Sequence, residues 1–175
     1  MSDIGFIQQG LRAIQSEALV HSTLHELVQL AVNAARSEAG SLFLVDEERQ
    51  VLKMAVTIGL PDEYVKNCGD VPLGDQCCGR AAQQKKAWVV TDMLTDPLFA
   101  SGREASVKSG IRAAFSVPVI DAQGKVLGSL ACHYRKPFSP TAYEIERNHV
   151  FATLIAFALV RDWSQTEKAR AVEVI

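Results

Sequence analysis

This chain lacks a marked excess of basic or acidic residues, any long apolar run and any ordered set of cysteines. Its 18 Lys and Arg against 20 Asp and Glu leave a net charge of −2. That excludes the basic footprint that holds nucleic acid and the Lys/Arg run that draws a protein to an anionic membrane surface. The longest nearly apolar stretch, residues 150–160, is broken by Thr153 and is too short to span a bilayer. The opening MSDIGFIQQG lacks the basic segment and apolar run of a secretory leader. Four irregularly spaced cysteines read as reduced thiols and not as a disulfide framework. The expectation is a cytoplasmic protein with no nucleic-acid or membrane partner. At 175 residues, 48% apolar and 22% charged, it has the size and composition of one globular domain with a substantial core.

Familiar catalytic signatures are missing too. There is no paired carboxylate, no Ser/His/Asp set and no phosphate loop, because GDQCCGR lacks the second Gly-Lys-Ser/Thr. Cys68, Cys77, Cys78 and His133 match no familiar zinc spacing, so no metal site is expected.

What is present is a long helix at each end and strands between. Ile4, Ile7, Leu11, Ile14 and Ala18 alternate spacings of three and four, a seam of about two heptads. So short a seam is unstable alone and needs a partner surface, for example its own copy. Thr23 with Glu26 reads as a capping box opening a second helix, striped by Leu24, Leu27, Val28 and Ala31 and ended by Gly40. His21 and His25 straddle that cap and read as surface residues. Five strand candidates follow, at 41–46, 51–58, 88–91, 111–120 and 125–134. The links EERQ and DAQG are short enough to force antiparallel hairpins. Two irregular stretches, each with a short helix candidate, separate the hairpins. Thr141 with Glu144 opens a closing helix running to about residue 170, whose apolar middle predicts burial on more than one side.

The most informative region is 74–135. Side chains alternate along a strand, so the last hairpin has two unlike faces. Ala113, Phe115 and Val117 with Leu130, Cys132 and Tyr134 form a bulky face that should pack on the long helices. Arg112, Ala114 and Ser116 with Ser129, Ala131 and His133 form a small or polar face that leaves volume above it. If the irregular stretches arch over that volume, a pocket results; otherwise the face is wet or covered by a helix.

This order of elements resembles a GAF domain, the sensory module found in phosphodiesterases, phytochromes, histidine kinases and transcriptional activators. The matching residues are Gly79-Arg80-Ala81-Ala82, VVTD ending at Asp92, DPLF at 96–99, SGIRAAFSVPV at 109–119, Gly124 with VLGSLACHY, and Pro140 with Glu144. The resemblance covers about residues 24–160. It implies an α+β, GAF/PAS-like fold: a central antiparallel sheet of five or six strands, long N- and C-terminal helices on one face, and a ligand pocket under short helices and loops on the other. It puts His133 where phytochromes hold a His against the bilin, and Ala114 and Ser116 where their pocket serines fall. It puts Cys77 and Cys78 where backbone reads a cyclic nucleotide, with side-chain contacts falling at Glu104, Val107 and Ile111, most of which do not match. The cyclic-nucleotide signature is degraded here to Arg135-Lys136, Phe138 and Tyr143-Glu144, and no bilin-attachment Cys is present. Free methionine sulfoxide reductases share the fold, but their catalytic Cys has no counterpart in MLTDPLFASGREASV. The cofactor stays unknown.

The expected ligand-binding residues are thus Phe43, Cys77, Cys78, Asp92, Phe99 and Glu104, together with Arg112, Ala114, Ser116, Ser129, Ala131 and His133. Arg112 offers a planar fork for an anion if it points inward, or pairs with Asp92 or Glu104 if it does not. Asp92 is expected to cap the next turn. Cys77 and Cys78 sit where helix amides lower a thiol pKa, which suits a redox switch; packing as two small residues at a tight helix start is the preferred reading. His133 reads as a haem ligand, a partner for a ligand carbonyl, or a satisfied strand histidine.

The sequence therefore predicts a dimerisation and signalling helix at 1–20, a GAF domain at 21–160 and an extension of the signalling helix at 161–175. The expected role is non-catalytic: an unidentified small molecule binds, and a homodimer relays its state through the terminal helices to a fused output domain, whether kinase, cyclase, phosphodiesterase or transcriptional activator. The unterminated AVEVI end fits such a fusion. The alternatives are a dimerisation scaffold with a vestigial pocket, a thiol redox sensor, and a free methionine sulfoxide reductase.

Overall fold

The computed structural model describes residues 3–15 and 20–173, with side chains through 164. Ala18 of the N-terminal seam lies outside the described residues. The elements run α1 (Asp3–Gln15), α2 (Val20–Ala35), β1 (Ala39–Asp46), β2 (Val51–Ile58), α3 (Asp62–Cys68), β3 (Val71–Pro72), α4 (Gln76–Gln84), β4 (Trp88–Val90), a 3-10 turn (Pro97–Gly102), α5 (Arg103–Ser109), β5 (Ala113–Ile120), β6 (Val126–Tyr134) and α6 (Ala142–Glu173). The strands form one antiparallel sheet in the order β3-β2-β1-β6-β5-β4. The sixth strand, β3, is only two residues long, which is why it carries no alternation in the sequence.

The two-faced hairpin is as expected. Phe115, Val117, Leu130, Cys132 and Tyr134 share one apolar core with Leu27, Val28 and Ala31 of α2 and Phe151, Ile155 and Leu159 of α6. The Tyr134 ring stacks on Phe138 with centroids 3.9 Å apart, and its hydroxyl donates to the Ala35 carbonyl at 3.0 Å. The Cys132 thiol donates to Asn148 Oδ1 at 3.4 Å, and Asn148 Nδ2 donates to the Glu144 carbonyl at 3.1 Å. This is a buried polar link between β6 and α6. Gly128 lets β6 close on β1, since a Cβ there would stand 2.1 Å from the Phe43 carbonyl oxygen.

Three local expectations are corrected. Thr23 does not cap α2; the helix already begins at Val20, and Thr23 lies inside it with a buried, unpartnered hydroxyl. His21 and His25 accordingly sit on the exposed face of α2 and do not straddle a cap. Gly40 does not end the helix. It is a β1 residue whose missing side chain admits Val32, and the helix stops at Ala35 before Arg36, at φ 52°. The Thr141–Glu144 box does form: Glu144 N–H donates to Thr141 Oγ1 at 3.2 Å and Thr141 N–H to the Glu144 carboxylate at 2.8 Å.

The helix α1 lies parallel to α6: Asp3 meets Arg147, Gly10 faces Leu154, and Ile14 meets Arg161. It docks through Phe6, Gly10, Ala13 and Ile14. Ile4, Ile7 and Leu11, three residues of the seam read from the sequence, point outward instead, with Ile4 69% exposed. On α6, Val150, Phe157 and Val160 also face out, Phe157 at 61% exposure.

Candidate functional site

The small face of the sheet lies under α3, α4 and the 93–109 segment. Strand register sets this face: Ala114 is opposite His133 and Ser116 opposite Ala131 on one side, and Ser41 is opposite Ala131 and Phe43 opposite Ser129 on the other. The helix α4 is capped by Asp75, whose carboxylate accepts from Gln76 N–H at 2.8 Å and from the Ser101 hydroxyl at 2.9 Å. Gly79 holds α4 close, because a Cβ there would stand 2.2 Å from the Pro72 carbonyl oxygen. That approach delivers Cys77 and Cys78 onto the sheet.

A cavity remains between these layers, about 10 Å³ in volume. That is room for roughly one water. Of the twelve residues predicted from sequence, Phe43, Cys77, Cys78, Phe99, Ala114, Ser116, Ala131 and His133 come together around it. Asp92, Glu104, Arg112 and Ser129 do not line it. Arg112 instead makes a two-pronged bond to Asp92, Nε to Oδ1 at 3.0 Å and an Nη to Oδ2 at 2.6 Å. The guanidinium, followed by the Leu94 amide, holds the Asp92 carboxyl below its usual range. Asp92 also caps its turn, as expected, by accepting from Leu94 N–H at 3.1 Å. Glu104 points to solvent and pairs with Lys108. Ser129 is buried but donates to the Val117 carbonyl at 3.4 Å.

Sequence reasoning missed Tyr64, Cys68, Gln76 and Met93, which complete the lining. The Tyr64 signal was available: it is one aromatic in the polar run PDEYVKN. Its ring stands edge-on to His133, with centroids 5.8 Å apart. Phe99 and Met93 fill the remaining volume.

The chemistry of this wall is uncharged. His133 is 4% exposed, and burial pushes its pKa down to about 4, leaving a neutral imidazole. Its Nε2 shares a hydrogen bond of 2.9 Å with Ser41 Oγ. Its Nδ1 has no partner, and neither has the hydroxyl of fully buried Ser116, which stands near the Cys77 thiol without hydrogen-bonding geometry. The helix start does not make thiolates of the cysteines. Burial pushes the Cys77 thiol up to about 12, and it pushes Cys78 well above its usual value, there outweighing the α4 amides of Cys78 and Gly79. Among the described residues, no group of three or more His, Cys, Asp or Glu is placed to hold a metal ion. No described helix is long and apolar enough to cross a membrane.

A curated relative from Methanosarcina acetivorans, described as a methyl sulfide methyltransferase-associated sensor, is 28% identical over 144 residues. The match covers 79% of this chain, which spans 14% of that relative's length. Among solved structures, the GAF domain of a phosphoenolpyruvate-protein phosphotransferase from Coxiella burnetii superposes with a TM-score of 0.80 at 17% identity, covering 94% of this chain and 96% of that one. A free methionine-R-sulfoxide reductase from Neisseria meningitidis, solved with its substrate, shares the fold at a TM-score of 0.72 and 18% identity, over 87% of this chain and 84% of that one. The GAF domain family model matches residues 20–159, from the first turn of α2 to the middle of α6 and across the whole sheet, so the chain belongs to the GAF domain family.

Proposed function

We propose that this chain is a sensory GAF module of a cytoplasmic signalling protein, with residues 21–160 as the sensing domain and the segments 1–20 and 161–175 as the relay. A small molecule occupies the space over Ala114, Ser116, Ala131 and His133, and two copies associate through α1 and α6. The observation that carries this reading is the thinness of the wall between site and helices. Ala114 and Ser116 face the cavity, while their neighbours Phe115 and Val117 on the same strand pack on α6. A ligand that shifts β5 therefore presses directly on the helix that leaves the domain. Ligand contacts must differ between two states of the site for such a relay to work. The outward apolar residues Ile4, Ile7, Leu11, Val150 and Phe157 support pairing of the helices between copies. The module acts by binding and not by turnover, in keeping with protonated, buried thiols.

Native mass spectrometry of the purified chain tests this. The expected result is a dimer that releases a small molecule on denaturation; a monomer with nothing released speaks against it. The second reading, a scaffold with a vestigial pocket, is favoured by Tyr64, Met93 and Phe99 filling the site. It predicts a dimer whose melting temperature no small molecule raises.

A further inference from the structure

Over the cavity, the short helix α3 contributes Tyr64 and the half-buried Cys68, beside α4 and the segment carrying Met93 and Phe99. On α3, residues 62–67 are exposed except Tyr64, the single buried residue of the helix. The α3 bonds also close on themselves: the Tyr64 and Val65 amides donate to Pro61, Asn67 donates to Glu63, and the Tyr64 hydroxyl faces the Cys68 thiol one turn on. Pro61 provides no side-chain cap. Glycines in left-handed backbone flank the segment, Gly59 at φ 65° and Gly69 at φ 61°. An element held by one buried and one half-buried side chain, Tyr64 and Cys68, between two glycines opens at low cost relative to the sheet beneath it.

Two of the residues lining the cavity with Tyr64 carry unpartnered polar atoms, Ser116 Oγ and His133 Nδ1. Buried groups of this kind ordinarily have partners. The Tyr64 ring stands edge-on to His133 and bonds neither atom, its hydroxyl being turned to Cys68. No carboxylate, Lys or Arg lines the cavity, and Arg112 is committed to Asp92. An ionic ligand would thus lose its hydration without gaining a counter-charge. Ser116 can donate or accept, and His133 Nδ1 does one or the other according to its tautomer. An edge carrying N–H beside C=O suits both.

We propose that residues 59–69 form a hinged lid whose Tyr64 ring occupies the ligand position, and that the ligand is an uncharged planar ring with an amide-like edge that displaces Tyr64 and bonds Ser116 and His133. This rests on the sensory reading above and names its ligand class and its gate.

The test uses benzamide, with benzoate as its anionic counterpart and toluene as its apolar one, each titrated by ligand-observed NMR. Removing Tyr64 leaves a ring-sized void on the order of 150 Å³, the size that admits benzene in an engineered core. Tyr64→Ala should therefore bind benzamide at least about tenfold more tightly than the unaltered chain, since no ring has to be displaced. Adding Ser116→Ala should weaken binding by about tenfold, the loss of one buried hydrogen bond. Benzoate should bind about tenfold or more weakly than benzamide. If Tyr64→Ala unfolds, Tyr64→Leu reads the same comparison with a partly filled site. Benzoate matching benzamide overturns the neutral-ligand inference, and toluene matching it overturns the role of the polar edge. No gain in either Tyr64 variant overturns the lid. In that last case, a compound carried by the unaltered chain in native mass spectrometry leaves the sensory reading standing, while an empty chain removes both.

Discussion

Replacing Phe157 with Glu probes the relay where it leaves the domain. Phe157 is 61% exposed on α6 and stands beside Val160 and Ile120 on an apolar groove of about 410 Å³. Full burial of a Phe side chain is worth about 1.5–3 kcal/mol. Covering the exposed part in a two-fold interface is thus worth about 1–2 kcal/mol per copy, or about 2–4 kcal/mol per dimer, because the symmetry counts the contact twice. Phe157→Glu forfeits that and sets two carboxylates near the axis. The dimer dissociation constant should rise by about 30- to 1,000-fold. Sedimentation velocity over a concentration series reads this directly, with Val65→Glu on α3 as the control that leaves the dimer intact. A Phe157→Glu chain that dimerises like the unaltered one, or an unaltered chain that stays monomeric throughout, refutes pairing through α6.

Three further outcomes follow from the geometry. Gly128→Ala puts a methyl group against the Phe43 backbone, which cannot rotate away, and should cost about 3 kcal/mol in urea unfolding; a loss below about 0.5 kcal/mol contradicts the close β1–β6 pairing at Gly128. His133, ordinarily near 6.5, is held to about 4 in the folded state, so the unfolded chain binds more protons and stability falls with pH. The loss should be about 2 kcal/mol between pH 7 and pH 5, and His133→Gln should remove that slope; an unchanged slope in the variant assigns the effect elsewhere. In thiol labelling of the native protein at pH 8, partly exposed Cys68 should react first and buried Cys77, Cys78 and Cys132 slowly; rapid labelling of Cys77 or Cys78 would revive a redox reading.

Most of the architecture could be read from alternation and turn chemistry, because both are local. The faces of β5 and β6 followed from a period of two, and the Thr141–Glu144 box from residues three apart. What resisted was decided by distant partners. Thr23 has the chemistry of a cap, yet only the position of Val20 in the helix shows that it is interior. The outward turn of Ile4 and Leu11 depends on Phe6 and Gly10 fitting better against α6, a choice periodicity alone leaves open. Arg112 was correctly seen to have two options, and its bidentate pairing with Asp92 across 20 residues decides between them. Tyr64 is marked only by being the one aromatic of PDEYVKN, and its polar neighbours make α3 look like a surface turn.

Transmission across β5 is the central claim, and hydrogen exchange of the benzamide-saturated Tyr64→Ala protein tests it most directly. Filling the site should change amide protection in β5 and, through Phe115 and Val117, in α6 over residues 150–160. Protection changes confined to 59–69 and the cavity wall, with α6 exchanging as it does without benzamide, would contradict the claim that the sheet carries site occupancy to the helices.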